Sequence, residues 1–330
     1  MRLIRRLKWP AMAGLAVLAY LTLREALPAP SEVWDVITAA DSNWLMVAAA
    51  FQVLAMVVFA RFFRRLLALG GVTVSRPRIL AVTFARNAVA GSLPAGPVVS
   101  VAYTTQVFAK LGAGKRLIAA VLVLAAGYSG ATFGLLALVA LVFSPGTRVI
   151  TLIALGAVVV LGVLVFKAGH LIDRMPKVAG QLRATFATVG GTRRDHFRLA
   201  HLALLNWVLD VISLGAVCVA IEATANPHTV LLGFVAAKTA AALAVVPGGL
   251  GVAEVGMAAT YIAAGMSGGQ AAAVVLLYRL VSYWMNLVLG WIAWILLHDS
   301  IRRTLVGGLV RFGAALSPFA YPPSDRHAAP

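Results

Sequence analysis

Residues 230–264 read VLLGFVAAKTAAALAVVPGGLGVAEVGMAATYIAA, two apolar arms on either side of Pro247-Gly-Gly-Leu-Gly251, with Lys238 in the first arm and Glu254 just past the glycines. Proline and glycine at that density stop a helix. Each arm holds only about 12 to 18 residues, short of the ~20 that cross ~30 Å of hydrocarbon. Backbone in a bilayer must satisfy its own hydrogen bonds, which leaves helices as the form of each arm. The stretch therefore reads as a broken, re-entrant helix. A second stretch of the same kind, 79–109, reads ILAVTFARNAVAGSLPAGPVVSVAYTTQVFA, breaks at Gly91, Pro94, Gly96 and Pro97, and carries Arg86 in its first arm.

Outward from these two stretches lie uninterrupted apolar blocks near 9–27, 42–60, 117–143, 149–166, 199–221 and 270–297. Sixty-one per cent of the residues are hydrophobic and 12% charged. A soluble domain carries roughly a quarter charged, so a water-soluble fold is excluded. The blocks lack the two-residue alternation of a barrel strand and exceed its ~10 residues. The sequence predicts an all-α polytopic membrane protein of about six spanning helices plus two re-entrant broken helices.

Shifting the chain by 153 residues lays Pro94 on Pro247, Gly96 on Gly249, Gly112 on Gly265 and Ala119-Ala120-Val121 on Ala272-Ala273-Val274. An internal repeat follows, with cores at 79–143 and 230–297. Three spans separate the two breaks, an odd number, so the copies enter from opposite faces. Inverted repeats of this kind place a substrate near the midplane of a transporter.

The formal net charge is +17. Its basic residues abut apolar blocks and are not interleaved with stacking aromatics, which argues for membrane orientation and against nucleic acid. With the N-terminus inside, the clusters 2–8, 61–78, 110–116, 167–198 and 302–326 hold 23 of the 28 Lys and Arg on one side, while Glu32, Asp35, Asp41 and Glu222 fall on the other. The expectation is a multi-pass protein of the plasma (inner) membrane with both termini cytoplasmic. The opening residues imitate a signal peptide, and retention as a first helix is the reading adopted. Residues 1–300 form one membrane domain and 301–330 a short cytoplasmic tail, proline-rich and disordered in composition from Ser317. The stretch 170–197 fits either a helix lying on anionic headgroups or a solvated loop. Cys218, the single cysteine, sits in an apolar block as a small hydrophobe.

Phosphate-cradling loops, zinc signatures and dinucleotide fingerprints are missing, and the six histidines are scattered without ligand spacing. No catalytic residue, metal or cofactor is expected. What stands out is charge inside the apolar blocks: Arg86, Asp210, Lys238, Glu254 and Arg279. Each costs at least ~2.5 kcal/mol at the centre of a lone helix, so such residues are functional candidates by default. Arg86 and Lys238 form a quasi-symmetric pair of cations in the arms leading to the breaks. Helix N-termini after the breaks add a positive dipole end, and together these would receive a phosphate. Blander readings stand beside this one. Arg86 and Lys238 can snorkel. Glu254 can cap its helix or pair with Arg279, Asp210 can be satisfied by Asn206 and Ser213, and Tyr278, Tyr283, Trp284, Trp291 and Trp294 can form a lipid-facing belt.

The stretch Pro247-Gly-Gly-Leu-Gly-Val-Ala-Glu254, with Gly265, Leu276-Leu-Tyr-Arg279 and Tyr283-Trp284, resembles the flippase-like membrane region of lysylphosphatidylglycerol synthases and their stand-alone relatives. Ala85-Arg-Asn87 and Leu93-Pro-Ala-Gly96 resemble the first broken segment of that family. The resemblance runs over roughly residues 10–298. It implies a protein that moves a lipid with a phosphate-containing polar headgroup between leaflets, or that helps an enzyme use one. The soluble aminoacyl-transferase domain of the bifunctional synthases does not follow here, so this chain is not expected to make lysyl-lipid itself. The first break reads Pro-Ala-Gly-Pro where the family carries a glycine-rich stretch and an acidic residue, with Ser100 and Tyr103 nearby.

The sequence therefore points to a flippase-like transporter of a phospholipid or polyprenyl-phosphate lipid. Arg86, Lys238 and Arg279 hold the phosphate and Asn87, Glu254 and Tyr278 read the rest of the headgroup. Pro94, Gly96, Pro97, Pro247, Gly248, Gly249 and Gly251 serve as hinges, and Asp210 or Glu254 couples to protons. A membrane-embedded transferase with Glu254 or Asp210 as base, a scaffold for a partner lipid-modifying enzyme, and a small-solute transporter are the alternatives. A homo-oligomer is compatible with each.

Overall fold

An antiparallel pair of long helices forms the spine. The computed structural model describes residues 29–142 and 176–298, apart from 94, 224, 244 and 245. Within it α2, Ser42–Leu69, and α7, Arg193–Ala220, each run 28 residues. The Asp41 N–H donates to the Ala220 carbonyl at 2.8 Å, Ser213 Oγ donates to the Ala48 carbonyl at 2.8 Å, and at the far end Arg65 pairs with Asp195. These contacts define an Asp41 end and an arginine end of the molecule.

Both helices outrun the predicted spans. The sequence ends one span near 60 and begins another near 199, leaving Arg61, Arg64 and Arg65 in a loop; instead α2 continues to Leu69 and α7 starts at Arg193. The reason is amphipathic packing. Phe62, Phe63, Leu66 and Leu67 are buried against Val74, Ile79, Phe108 and Leu117 while the arginines take the other face. At the start of α7, Asp195 accepts from the Thr192 N–H at 3.0 Å and closes the first turn. Twenty-eight residues make about 42 Å of helix, so the charged turns extend past ~30 Å of hydrocarbon.

Two helix pairs and their following spans pack around this spine. The first comprises α3, Arg76–Ser92, and α4, Gly96–Lys110, followed by α5, Lys115–Val142. The second comprises α8, Pro227–Leu243, a short 3-10 turn at Pro247–Gly249 and α9, Val252–Ala263, followed by α10, Gly268–Leu297. The 153-residue shift carries the end of α4, Lys110, onto the end of α9, Ala263, and the start of α5, Lys115, onto the start of α10, Gly268. It also carries left-handed Ala95 (φ 53°) onto left-handed Gly248 (φ 63°).

Packing contacts show where each pair begins and ends. Phe108 at the end of α4 meets Phe63 at 5.8 Å between ring centroids, and Leu117 packs under Gly70, so α3 and α4 start and finish at the arginine end. His228 at the start of α8 contacts the Ala140 carbonyl at 2.7 Å through Nε2. Gly269, just after α9, lies against Glu32 of a short helix α1, Pro30–Thr38. The second pair therefore starts and finishes at the Asp41 end. Residues 30–38 lie between the predicted spans 9–27 and 42–60, and Val33, Val36 and Ile37 dock this helix on the core.

Among the described residues four helices, α2, α5, α7 and α10, are long and apolar enough to cross a bilayer. The chain is an all-α polytopic membrane protein. Within 170–197 the structure places helix α6 at Pro176–Ala187. The predicted spans near 9–27 and 149–166, the tail 301–330 and hinge residue Pro94 lie outside the described residues.

Candidate functional site

The predicted span 270–297 is not one uniform helix: Leu280–Met285 forms a π-turn between two α-helical segments, a distortion that often marks functional positions. From this turn Tyr283 joins both breaks. Its hydroxyl donates to the Gly91 carbonyl at the first break, 3.0 Å away, and its ring occupies the space a Cβ at Gly248 would need at the second. Gly248 thus has to be glycine twice over, for its φ of 63° and for this close approach. Eight residues on, Trp291 Nε1 donates to Ser92 Oγ at 3.0 Å. A belt of lipid-facing aromatics is therefore not what these two residues form, although Trp284, 49% exposed, does face outward.

Arg279 continues the junction on the side of the second break. Its Nη2 donates to the Gly248 carbonyl at 3.1 Å, its guanidinium lies 4.3 Å from the Tyr283 ring centroid, and its Nε faces Glu254 Oε1 at 2.5 Å. Glu254 Oε2 is buried without a hydrogen-bond partner. One turn after the glycines, Glu254 is thus a counter-ion, in keeping with one of the two readings the sequence left open.

The neighbouring residue on α10 serves a second carboxylate. Buried Tyr278 donates to Asp210 Oδ1 at 2.7 Å, and Lys238 Nζ lies 2.8 Å from Asp210 Oδ2. Three rings surround the ammonium, with centroids at 5.1 Å for Phe234, 5.9 Å for Tyr278 and 6.0 Å for Trp207. Trp207 is itself held by an Nε1 hydrogen bond to the Ser129 carbonyl at 3.0 Å. Ser213, proposed from sequence as a partner for Asp210, is turned to Ala48 instead, so Lys238 and Tyr278 satisfy the carboxylate. A half-buried cation with a carboxylate on one side and aromatic faces around it has its charge compensated on its protein-facing side.

Arg86 is different. Its guanidinium lies 4.9 Å from the Phe63 centroid and 5.7 Å from Phe59, its Nε is buried without a hydrogen-bond partner, and among the described residues no carboxylate pairs with it. Its own carbonyl accepts from Ser100 Oγ at 2.9 Å, tying α3 to α4 beside the break. Asn87 is exposed, with its amide 4.0 Å from Met56 Sδ. The 153-residue shift puts Arg86 opposite Thr239, one residue past Lys238. One residue is about 100° around a helix at 3.6 residues per turn. The two cations therefore face different neighbours, Lys238 toward α7 and Arg86 toward α2, and they are not symmetry mates.

The structure brings Glu254 to Arg279, and Asp210 and Lys238 to Tyr278, with both groups anchored on α10; Arg86 and Asn87 make no polar contact with either. Gly96 and Gly249, equivalent under the shift, each leave no room for a Cβ, against Ala90 in the first pair and Ala241 in the second. Pro97 opens α4 and Pro247 opens the 3-10 turn, both at positions where a missing N–H is harmless. Gly251, φ 84°, precedes α9. Phe59, Phe63 and Trp207 went unpicked in the sequence, and Tyr283 was read there as a belt candidate and not as a link between the breaks, because an aromatic in an apolar helix carries no mark of what it will face. Among the described residues no three His, Cys, Asp or Glu converge.

The family model of the lysylphosphatidylglycerol synthase transmembrane region matches residues 11–290. A UPF0104 membrane protein of Methanothermobacter thermautotrophicus is 33% identical over 89 residues, and one of Pyrococcus horikoshii 27% identical over 117. The aligned stretches are 27% and 34% of this chain, and the chain spans only 27% and 35% of the length of those relatives.

Proposed function

The chain belongs to the lysylphosphatidylglycerol synthase transmembrane-region family, and from that premise we propose that it is a flippase-like transporter moving a phosphate-containing polar lipid between leaflets of the plasma (inner) membrane. The two helix pairs are then re-entrant, related as an inverted-topology repeat, with the arginine end and both termini cytoplasmic. One observation carries the proposal: α10 ties both helix breaks together through Tyr283 while Tyr278 and Arg279 beside it engage two carboxylates within an apolar bundle.

The chemistry of those pairs selects an anionic headgroup. Breaking a buried ion pair by removing one partner costs about 3 to 5 kcal/mol, because a buried charge is left uncompensated. Exchanging the carboxylate for a phosphate keeps the cation compensated throughout. A phosphate arriving at unpaired Arg86 can be passed to Arg279 as Glu254 withdraws, and to Lys238 as Asp210 withdraws. Asn87, Glu254 and Tyr278 then contact the remaining polar groups. The breaks around Gly96 and Gly249 act as hinges that open the site alternately, as inverted repeats permit. A carboxylate released in this cycle can take a proton, which makes Glu254 and Asp210 the coupling candidates. The reading needs no cofactor and makes the chain a carrier, whether or not a partner lipid-modifying enzyme supplies its lipid.

Headgroup-resolved lipid movement in proteoliposomes tests it, comparing wild type with Arg86→Gln and with the charge-neutral double variant Glu254→Gln/Arg279→Gln. Each charge-assisted hydrogen bond contributes about 1.5 to 3 kcal/mol, so both variants should slow phosphate-bearing lipids roughly tenfold or more while the protein stays folded. No movement in any of the three would sink the carrier reading in favour of a transferase or a scaffold, and equal movement in all three would sink the assignment of the phosphate to Arg86 and Arg279. Proton coupling fails separately if Glu254→Gln leaves the pH dependence unchanged.

A further inference from the structure

A half-open cavity of about 150 Å³ lies at the arginine end, between the last turns of α2 and the first turn of α3. Val57, Ala60, Ile79 and Leu80 wall it with hydrocarbon, and Arg61, Arg64 and Arg76 line it with charge. Among the described residues none of these three arginines has a carboxylate partner; the neighbouring Arg65 takes Asp195. Ser75, at the N-cap of α3, makes no side-chain bond to the first turn, so the free amides and dipole of that helix end add to the same positive field. Three guanidiniums facing one cavity without a counter-ion repel one another, and an anion between them reverses the sign of the interaction.

Depth along the helix identifies the anion. Arg61 lies 19 residues after Ser42, at the start of α2. At 1.5 Å per residue that is about 29 Å, the thickness of the hydrocarbon layer. The arginines therefore stand at headgroup level. Below them Leu54, 44% exposed, continues the stripe of Val57 and Arg61 down the same helix face toward lipid. A cavity of this volume admits a guest about the size of a benzene ring, enough for one phosphate ester group. We infer that this cavity is a binding site for the phosphodiester of an anionic phospholipid, with the phosphate between Arg61, Arg64 and Arg76 and an acyl chain along Val57 and Leu54. The site is separate from Arg86, Lys238 and Arg279 and stands whether or not the chain transports lipid. By gripping both α2 and the start of α3, the lipid fixes the corner from which the first broken pair departs.

Native mass spectrometry of the full chain in detergent tests the site, with dioleoylphosphatidylglycerol, dioleoylphosphatidylcholine and inorganic phosphate added in separate arms. The variants are Arg61→Gln/Arg64→Gln/Arg76→Gln, a control with equal charge loss elsewhere, Lys110→Gln/Arg193→Gln/Arg194→Gln, and Arg64→Lys. Wild type should retain one phosphatidylglycerol in preference to phosphatidylcholine. The groove variant should lose this roughly tenfold, Arg64→Lys should weaken it because the two-pronged guanidinium contact is gone, and the control should stay within about twofold. Equal losses in groove and control variants would show diffuse surface charge and overturn the site. Inorganic phosphate competing as well as phosphatidylglycerol binds would overturn its assignment to lipid.

Discussion

In the second helix pair and its following span, Lys238 faces Asp210 and Arg279 faces Glu254, whereas in the first pair Arg86 faces only Phe59 and Phe63. The backbones of the two units agree closely in their bounds and in the left-handed residue at the break, so the difference lies in side chains set on a common frame. It teaches that the repeat specifies where the chain turns, while each copy settles its own electrostatics. The uncompensated half is the part left with a use for an incoming anion.

The sharpest way to break this contrast is to make the second half resemble the first. Asp210→Ala strands Lys238 among three aromatic rings and deprives the Tyr278 hydroxyl of its acceptor, and it should destabilise the protein by about 3 kcal/mol or more. The double variant Asp210→Leu/Lys238→Met removes both charges and should recover most of that loss, as hydrophobic replacement of whole buried pairs generally does. Thermal unfolding in detergent reads both. If single and double variants melt together, the ion pair is not what stabilises this half. Arg86→Met, by contrast, removes an unpaired charge and should leave the melting temperature the same or higher, with its cost appearing only in lipid movement.

Next in size comes Gly248→Ala. It meets both a positive φ and the ring of Tyr283, costs that together come to about 2 to 3 kcal/mol. Combining it with Tyr283→Ala relieves the collision and leaves the backbone term, so the two changes should be non-additive in a double-mutant cycle. Additive losses would mean that Tyr283 does not press on the second break. Tyr283→Phe is smaller: it leaves the Gly91 carbonyl without its donor and should cost about 1 kcal/mol.

How far these features can be read in advance depends on how rare their signal is in a membrane sequence. Proline, glycine and charge are scarce in apolar blocks, so Pro247 to Gly251, Glu254 and Arg279 announce themselves, as does the repeat that aligns Gly96 with Gly249. Arg61, Arg64 and Arg65 mislead because arginine next to an apolar block usually marks a loop, whereas here the apolar residues between them continue a helical stripe. Trp207 is silent for the opposite reason, and Tyr283 stands out only as a belt candidate, since apolar blocks use aromatics for lipid, for core and for cation faces alike. The one-residue offset between Arg86 and Lys238 is present in the numbering, but its meaning appears only when a helix converts it into a rotation.

Ala95 is the least legible position of all, and the smallest predicted effect rests on it. It takes the left-handed conformation at the first break, φ 53°, where its counterpart in the second break is Gly248 at φ 63°. An L-residue held there carries about 1 kcal/mol of backbone strain, and Ala95→Gly removes it. The same change loosens the unfolded chain, which returns about 0.4 to 1 kcal/mol of that gain. The net change in stability should therefore be near zero or slightly favourable, opposite in sign to Gly248→Ala at the equivalent place. Mobility is the better readout, since glycine widens the range of angles the hinge can adopt without altering any side-chain contact at the site. Hydrogen exchange of the amides of Gly96, Val98 and Val99 should accelerate in Ala95→Gly while those of 249–252 stay unchanged. Unaltered exchange at Gly96, Val98 and Val99 would mean that Pro97 and the packing of Gly96 on Ala90 already fix the first break, and that only the second one bends.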